Sequence, residues 1–139
     1  MSIVLDASLT LSWYFEDERT PASDSVLDEV AAAGALVPAL WRLEVANGFQ
    51  TAMRRKRIDG DFRDRALRHL GSLAIAVDPE TDTFASTATL RLADRFGLTI
   101  YDAAYLELAH RRRAPLASLD RELDDAGRAL GVPMLGRGA

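Results

Sequence analysis

Four acids stand where short apolar runs give way to helical patterns. Asp6 follows Ile3-Val4-Leu5, Asp102 follows Leu98-Thr99-Ile100-Tyr101, and Asp120 follows Leu116-Ala117-Ser118-Leu119. Glu44 lies in the first turn of a helix predicted from about Trp41 to Arg57, after the run Ala35-Leu36-Val37. Taken singly, each reads as a helix cap or a solvated residue, because a carboxylate there accepts hydrogen bonds from the first turn and complements the helix dipole. If the apolar runs are parallel strands, all four converge on one edge of a sheet. Carboxylates gathered there repel: at 4 Å and an effective dielectric of about 20, each ionised pair costs on the order of 4 kcal/mol. Relief comes from raised pKa values or from a bound cation, and an all-oxygen donor set suits Mg²⁺ or Mn²⁺.

Helical spacing adds detail. The residues three, four and seven beyond Glu44 are Asn47, Gly48 and Thr51, a small polar face that leaves room for a ligand. Glu107 lies about 140° around the helix from Asp102 and should point elsewhere.

These acids need a sheet to hold them. The runs at 2–5, 35–37, 74–77, 115–119 and 132–135 read as strands, the last an edge strand because of Pro133. The segment from Leu98 reads as a buried strand end running into a helix, with Asp102 at the seam as its cap. Between the strands lie helical patterns. One runs from Ser8 to Phe15, and one is capped by Thr20-Pro21 and closed by Gly34. Asp59 caps another, and a further helix carries Phe84, Ala88, Leu92, Ala93 and Phe96 to Gly97. A last, short helix ends at about Leu130. This alternation predicts an α/β fold, a mostly parallel central sheet with helices on both faces, whose ligands bind at the strands' carboxyl ends where strand order reverses.

The chain of 139 residues fits one domain over 1–135, with a short tail at 136–139. It has no cysteine, which excludes disulfides, thiolate metal sites and cysteine nucleophiles. Its two histidines, His69 and His110, form no zinc-hydrolase pattern, and His69 sits on a solvated face. No secretory leader or membrane-length apolar run stands out, so a cytoplasmic protein is expected. A net charge of −4 does not suggest a bulk coating of nucleic acid. Positive charge is local, in Arg54-Arg55-Lys56-Arg57 and Arg111-Arg112-Arg113, where it reads first as helix-end and surface charge and second as phosphate grip. Trp13, Tyr14 and Trp41 read as core or interface aromatics before base-stacking ones. Asp124 and Asp125 read as solvated helix acids.

The stretches IVLDAS (3–8), PALWRLEVANGF (38–49), LTIYDAAYLELA (98–109) and PLASLDREL (115–123) resemble, in order and spacing, the PIN-domain ribonucleases and within them the VapC toxins of toxin–antitoxin pairs. The resemblance implies a PIN-like three-layer α/β/α fold and hydrolysis of RNA phosphodiester bonds by a metal-activated water. Carried over by position, the acidic set is Asp6, Glu44, Asp102 and Asp120, binding Mg²⁺ with Mn²⁺ as the alternative. Ser8 is the hydroxyl of the opening Asp-x-Ser, and Glu122 an outer-shell acid. Arg54, Arg55, Arg57, Arg111 and Arg112 become candidates for gripping the RNA backbone. A homodimer and a VapB-like antitoxin partner are implied too. Two rival readings remain: a non-catalytic interaction module on the same fold, and an aspartyl phosphotransferase or phosphatase built on Asp6. The second lacks a phosphoryl-holding lysine unless Lys56, the chain's single lysine, supplies it.

Overall fold

The structure is a computed structural model that describes residues 2–138. Its sheet has five strands, all parallel, in the order β3-β2-β1-β4-β5. These are β1 (Ile3–Leu5), β2 (Ala35–Val37), β3 (Ile75–Val77), β4 (Leu116–Ala117) and β5 (Met134–Leu135). β1 is central, with Ile3 opposite Ala35 on one side and Val4 opposite Leu116 on the other. Val4, Leu5, Leu116 and Ala117 are wholly buried, as strands covered on both faces require. β5, which starts directly after Pro133, lies at the edge, as expected.

From β1 the chain works outward through β2 to β3, then returns across the sheet to β4 and β5. Strand order therefore reverses between β1 and β4, the position at which open α/β sheets bind ligands. Helices α1 (Ala7–Ser12), α2 (Pro21–Ala33), α3 (Trp41–Arg54), α4 (Gly60–Gly71), α5 (Thr81–Phe84), α6 (Ala88–Phe96), α7 (Ile100–Arg112) and α8 (Arg121–Leu130) make up the outer layers of a three-layer α/β/α fold. α7 packs against β1 and β4 and buries seven consecutive residues, Ala103 to Ala109, which makes it the central helix. α2 starts at Thr20 with Pro21 in its first turn, and Thr20 and Ser23 cap each other reciprocally. It ends at Gly34, whose φ of +82° only glycine adopts freely.

Several boundaries differ from the sequence expectation: α3 ends at Arg54 and not Arg57, and the strands expected at 115–119 and 132–135 pair over only Leu116–Ala117 and Met134–Leu135. α1 stops at Ser12, and a 3₁₀ turn, Glu16–Glu18, follows. The helix expected through Phe84 and Phe96 is two helices, α5 and α6, broken at 85–87, where the Thr87 hydroxyl donates to the Phe84 carbonyl. Hydroxyls of this kind compete with the helical ladder. The expected strand end at 98–100 is a tight connection: Gly97 closes α6 in the left-handed region, and Thr99 caps α7 two residues later. Asp102 is therefore not the cap. Its backbone N–H donates to Thr99 Oγ1 at 3.1 Å.

Candidate active site

Asp6 is the best-held acid. It follows β1, caps α1 and is buried. Ser8 Oγ donates to its Oδ2 at 2.8 Å, and Ser118 Oγ donates to the same oxygen at 2.6 Å. Ser118 also accepts from the Asp120 backbone N–H at 3.0 Å, so one hydroxyl joins the ends of β1 and β4 at the switch point. Asp120 caps α8 through a hydrogen bond accepted from the Leu123 N–H at 3.1 Å. Glu44, in the first turn of α3, accepts from the Tyr105 hydroxyl at 2.6 Å. Asp102 and Tyr105 stand one helical turn apart on α7 and so share a face.

The acids feel one another. Burial pushes the Asp102 carboxyl up from 3.8 to about 6, and the charges of Asp6, Asp120 and Glu44 push the same way. Burial raises Asp6 against the hydrogen bonds from Ser118 and Ser8, with Asp120 adding repulsion. Burial likewise raises Glu44, against the Tyr105 hydrogen bond and with the charge of Asp6. Among the described residues no lysine or arginine forms an ion pair with any of the four. The site is thus a concentration of uncompensated negative charge on oxygen donors, and such a set fits a hard divalent cation. In this arrangement no three acids or histidines among the described residues close around a common point.

A chain with this sheet order and this acidic edge has relatives. A family model described as PIN domain matches residues 3–129. The chain belongs to the PIN-domain family. Ribonuclease VapC3 of Pyrobaculum aerophilum is 29% identical to this PIN domain over 133 residues, spanning 96% of the chain and 100% of the relative. Ribonuclease VapC9 of Mycobacterium tuberculosis is 30% identical over 127 residues, 91% of this chain and 92% of its own. Two solved structures share the fold: PAE2754 of P. aerophilum, with a TM-score of 0.69 at 23% identity over 96% of this chain and 89% of that one, and FitAcB of Neisseria gonorrhoeae, with 0.61 at 15% over 97% of each.

Other candidates fall elsewhere in the PIN domain. Glu122 is exposed in the first turn of α8 and makes no hydrogen bond to the four acids among the described residues. Arg54 and Arg55 close α3, with Arg54 roughly 15 Å along the axis from Glu44 at 1.5 Å per residue. Lys56 lies in the turn beyond them, so no lysine stands by Asp6 to hold a phosphoryl group. Arg57 pairs with Asp17 at 2.9 Å and Glu18 at 3.2 Å. Arg111 is enclosed by Asp78, Glu80 and Glu107, and Arg112 pairs with Asp78 at 3.0 Å. Arg111 thus has its guanidinium occupied by protein. Glu107 turns away from the acids toward Arg111, as its spacing predicts. Asp124 corrects the expectation of a solvated acid: it is buried and pairs with Arg128 one turn on, at 2.9 Å.

Trp13 and Trp41 are core, their indole N–H groups donating to the Ser23 carbonyl and to Thr10 Oγ1. His69 is exposed, but its Nδ1 faces the Tyr14 hydroxyl at 2.7 Å. The small face beside Glu44 serves packing as well: a Cβ on Gly48 would overlap the Leu11 side chain, so Gly48 admits α1 against α3 and not a ligand. Gly48→Val should push α1 outward at a cost of about 1–3 kcal/mol, read as a lower urea midpoint. An unchanged midpoint would show that α1 and α3 part freely.

Sequence reasoning missed Ser118 and Tyr105, the two hydroxyls that orient Asp6 and Glu44. Ser118 has a local signal, since it stands two residues before Asp120 at a strand end. Tyr105 has only its place one turn beyond Asp102.

Proposed function

We propose that this PIN domain is a VapC-type endoribonuclease, the toxin of a toxin–antitoxin pair, and that Asp6, Glu44, Asp102 and Asp120 hold Mg²⁺ or Mn²⁺ for hydrolysis of RNA phosphodiester bonds. What supports the reading is four unpaired carboxylates at the switch point of a chain that matches VapC ribonucleases nearly end to end. Asp6 and Asp102 are the chief cation ligands, with Glu44 and Asp120 directly or through water. A divalent cation bound there neutralises the acids against an incoming phosphate and acts as a Lewis acid toward water and phosphate oxygens. Ser8 and Ser118 orient Asp6 by donating to it, and their hydrogen bonds oppose the upward push of burial on its carboxyl. Caps on α1 and α8 fix Asp6 and Asp120 to the ends of β1 and β4, so both donors sit on rigid elements.

RNA with accessible single strands is the substrate class, and Arg54 and Arg55, free of ion pairs among the described residues, are the better candidates for holding its backbone. A VapB-like antitoxin and a second copy of the chain are the protein partners in this reading, which places the protein in the cytoplasm. No helix of the described residues is long and apolar enough to cross a membrane.

Purified protein incubated with total RNA tests it directly. Cleavage should appear with Mg²⁺ or Mn²⁺ and vanish with EDTA, and expression should arrest growth unless the neighbouring antitoxin gene is co-expressed. Intact RNA under every divalent ion tried would favour the non-catalytic interaction module instead.

A further inference from the structure

Tyr105 is the largest wholly buried side chain in the protein, yet its one polar atom points at the acidic edge. The phenol hydroxyl donates to Glu44 Oε1 at 2.6 Å. The direction is fixed by chemistry, because an ionised carboxylate can only accept. The bond thereby ties α3, which carries Glu44, to α7, which carries Asp102 one turn before Tyr105. Glu44 Oε2 has no hydrogen-bond partner among the described residues.

We propose that Tyr105 is the positioning residue of the acidic site: its buried hydroxyl holds Glu44 Oε1 so that Oε2 is presented to the cation shared with Asp6 and Asp102. The inference rests on the cation-site reading above. Of the four acids Glu44 needs such an anchor most. Its side chain has one more rotor than an aspartate, and it stands on a helix face and not at a strand end, so without the phenol it has the most conformational freedom to lose on binding. The carboxylates of Asp6 and Asp120 each accept a backbone N–H at the start of a helix, and the shorter Asp102 side chain has one rotor fewer. Glu44 has only the phenol. Residues that hydrogen-bond a ligating carboxylate in this way typically change metal affinity roughly 10–100-fold when removed.

The test is a double-mutant cycle read by Mn²⁺ titration calorimetry on the intact chain, with unaltered protein, Tyr105→Phe, Glu44→Ala and the double variant. Phenylalanine keeps the ring and its packing and deletes only the oxygen. Expected is a loss of Mn²⁺ affinity of roughly tenfold in Tyr105→Phe and no added loss when Glu44 is already alanine. Steady-state cleavage should follow, with kcat reduced and KM for RNA unchanged. Wild-type affinity in Tyr105→Phe would overturn the proposal. So would an equal loss in both backgrounds, which would make the hydroxyl a general prop of α7 and not an anchor for Glu44. If the unaltered chain binds no Mn²⁺, the cation-site reading itself fails and takes this one with it, an outcome distinct from the other two.

Discussion

Asp102→Asn is expected to abolish RNA cleavage while leaving the protein at least as stable at pH 7 as the unaltered chain. The two effects come from one cause. Asp102 ionises with a folded pKa of about 6 against 3.8 when unperturbed, raised first by burial and then by Asp6, Asp120 and Glu44. The folded state therefore holds that proton more tightly than the unfolded state. Stability rises as pH falls through the window from 6 to 3.8, and at pH 7 the whole penalty is present. That difference corresponds to roughly 3 kcal/mol, which solvent screening at a half-buried group reduces to about 1–2 kcal/mol. Asparagine removes that penalty and gives up about 0.3–1 kcal/mol of favourable charge near the α7 N-terminus. The cap itself survives, because Thr99 supplies it. Cleavage should fall by at least roughly 10²–10³-fold, the usual effect of deleting one preorganised electrostatic group. Calorimetric melting at pH 7 and pH 5 should show the variant's advantage shrinking at the lower pH. A variant that melts several degrees lower at pH 7, or that cleaves at the normal rate, would sink the shared-site account.

Asp6→Asn should behave differently, although both residues belong to the acidic set. Asp6 accepts from two serine hydroxyls and caps α1, so an amide NH₂ in place of one oxygen meets donors where it needs acceptors. Its loss of cleavage should come with a stability loss of about 1–2 kcal/mol.

That contrast marks what could be read in advance. The positions of the four acids followed from apolar runs meeting helical patterns, and parallel topology alone carries such residues to one edge. The error at Asp102 came from Leu98 and Ile100, which look like the end of a strand. With Gly97 ending one helix and Thr99 starting the next, no length of chain remains there to pair with the sheet. Ser118 and Tyr105 escaped notice because the groups they orient lie 112 and 61 residues away, a separation at which periodicity says nothing. Gly48 was legible as small, but whether a gap beside it holds a ligand or Leu11 depends on how α1 returns across α3. The pairs Glu107–Arg111 and Asp124–Arg128, by contrast, are spaced four apart and were there to be found.

Arg111→Ala should cost about 3–5 kcal/mol of stability, the largest loss from any basic residue here. Its guanidinium donates to Asp78 Oδ2 at 2.8 Å and to Glu107 Oε2 at 2.8 Å, reaches Glu80 at 3.3 Å, and stands 4.7 Å from the centre of the Phe84 ring. The Asp78 side chain is fully buried and that of Glu107 nearly so, so neither carboxylate can recover its loss from water once the arginine is gone. Burial alone would raise the Asp78 carboxyl, but the hydrogen bonds from Arg111 and Arg112 outweigh it and hold the group below its ordinary value. The stability this contributes is present above that ordinary value and is lost as pH falls through the depressed one. Arg111→Lys keeps one charge but not the planar fork that meets two carboxylates at once, so it should recover only part of the loss. Arg54→Ala and Arg55→Ala predict the reverse pattern. Both side chains are exposed, so stability should stay within about 0.5 kcal/mol of the unaltered chain by urea melting, while RNA binding weakens and its salt dependence becomes shallower. If Arg111→Ala instead folds with an unchanged midpoint and binds RNA poorly, its guanidinium serves the nucleic acid, and the buried carboxylates of Asp78 and Glu107 must find their compensation in Arg112 alone.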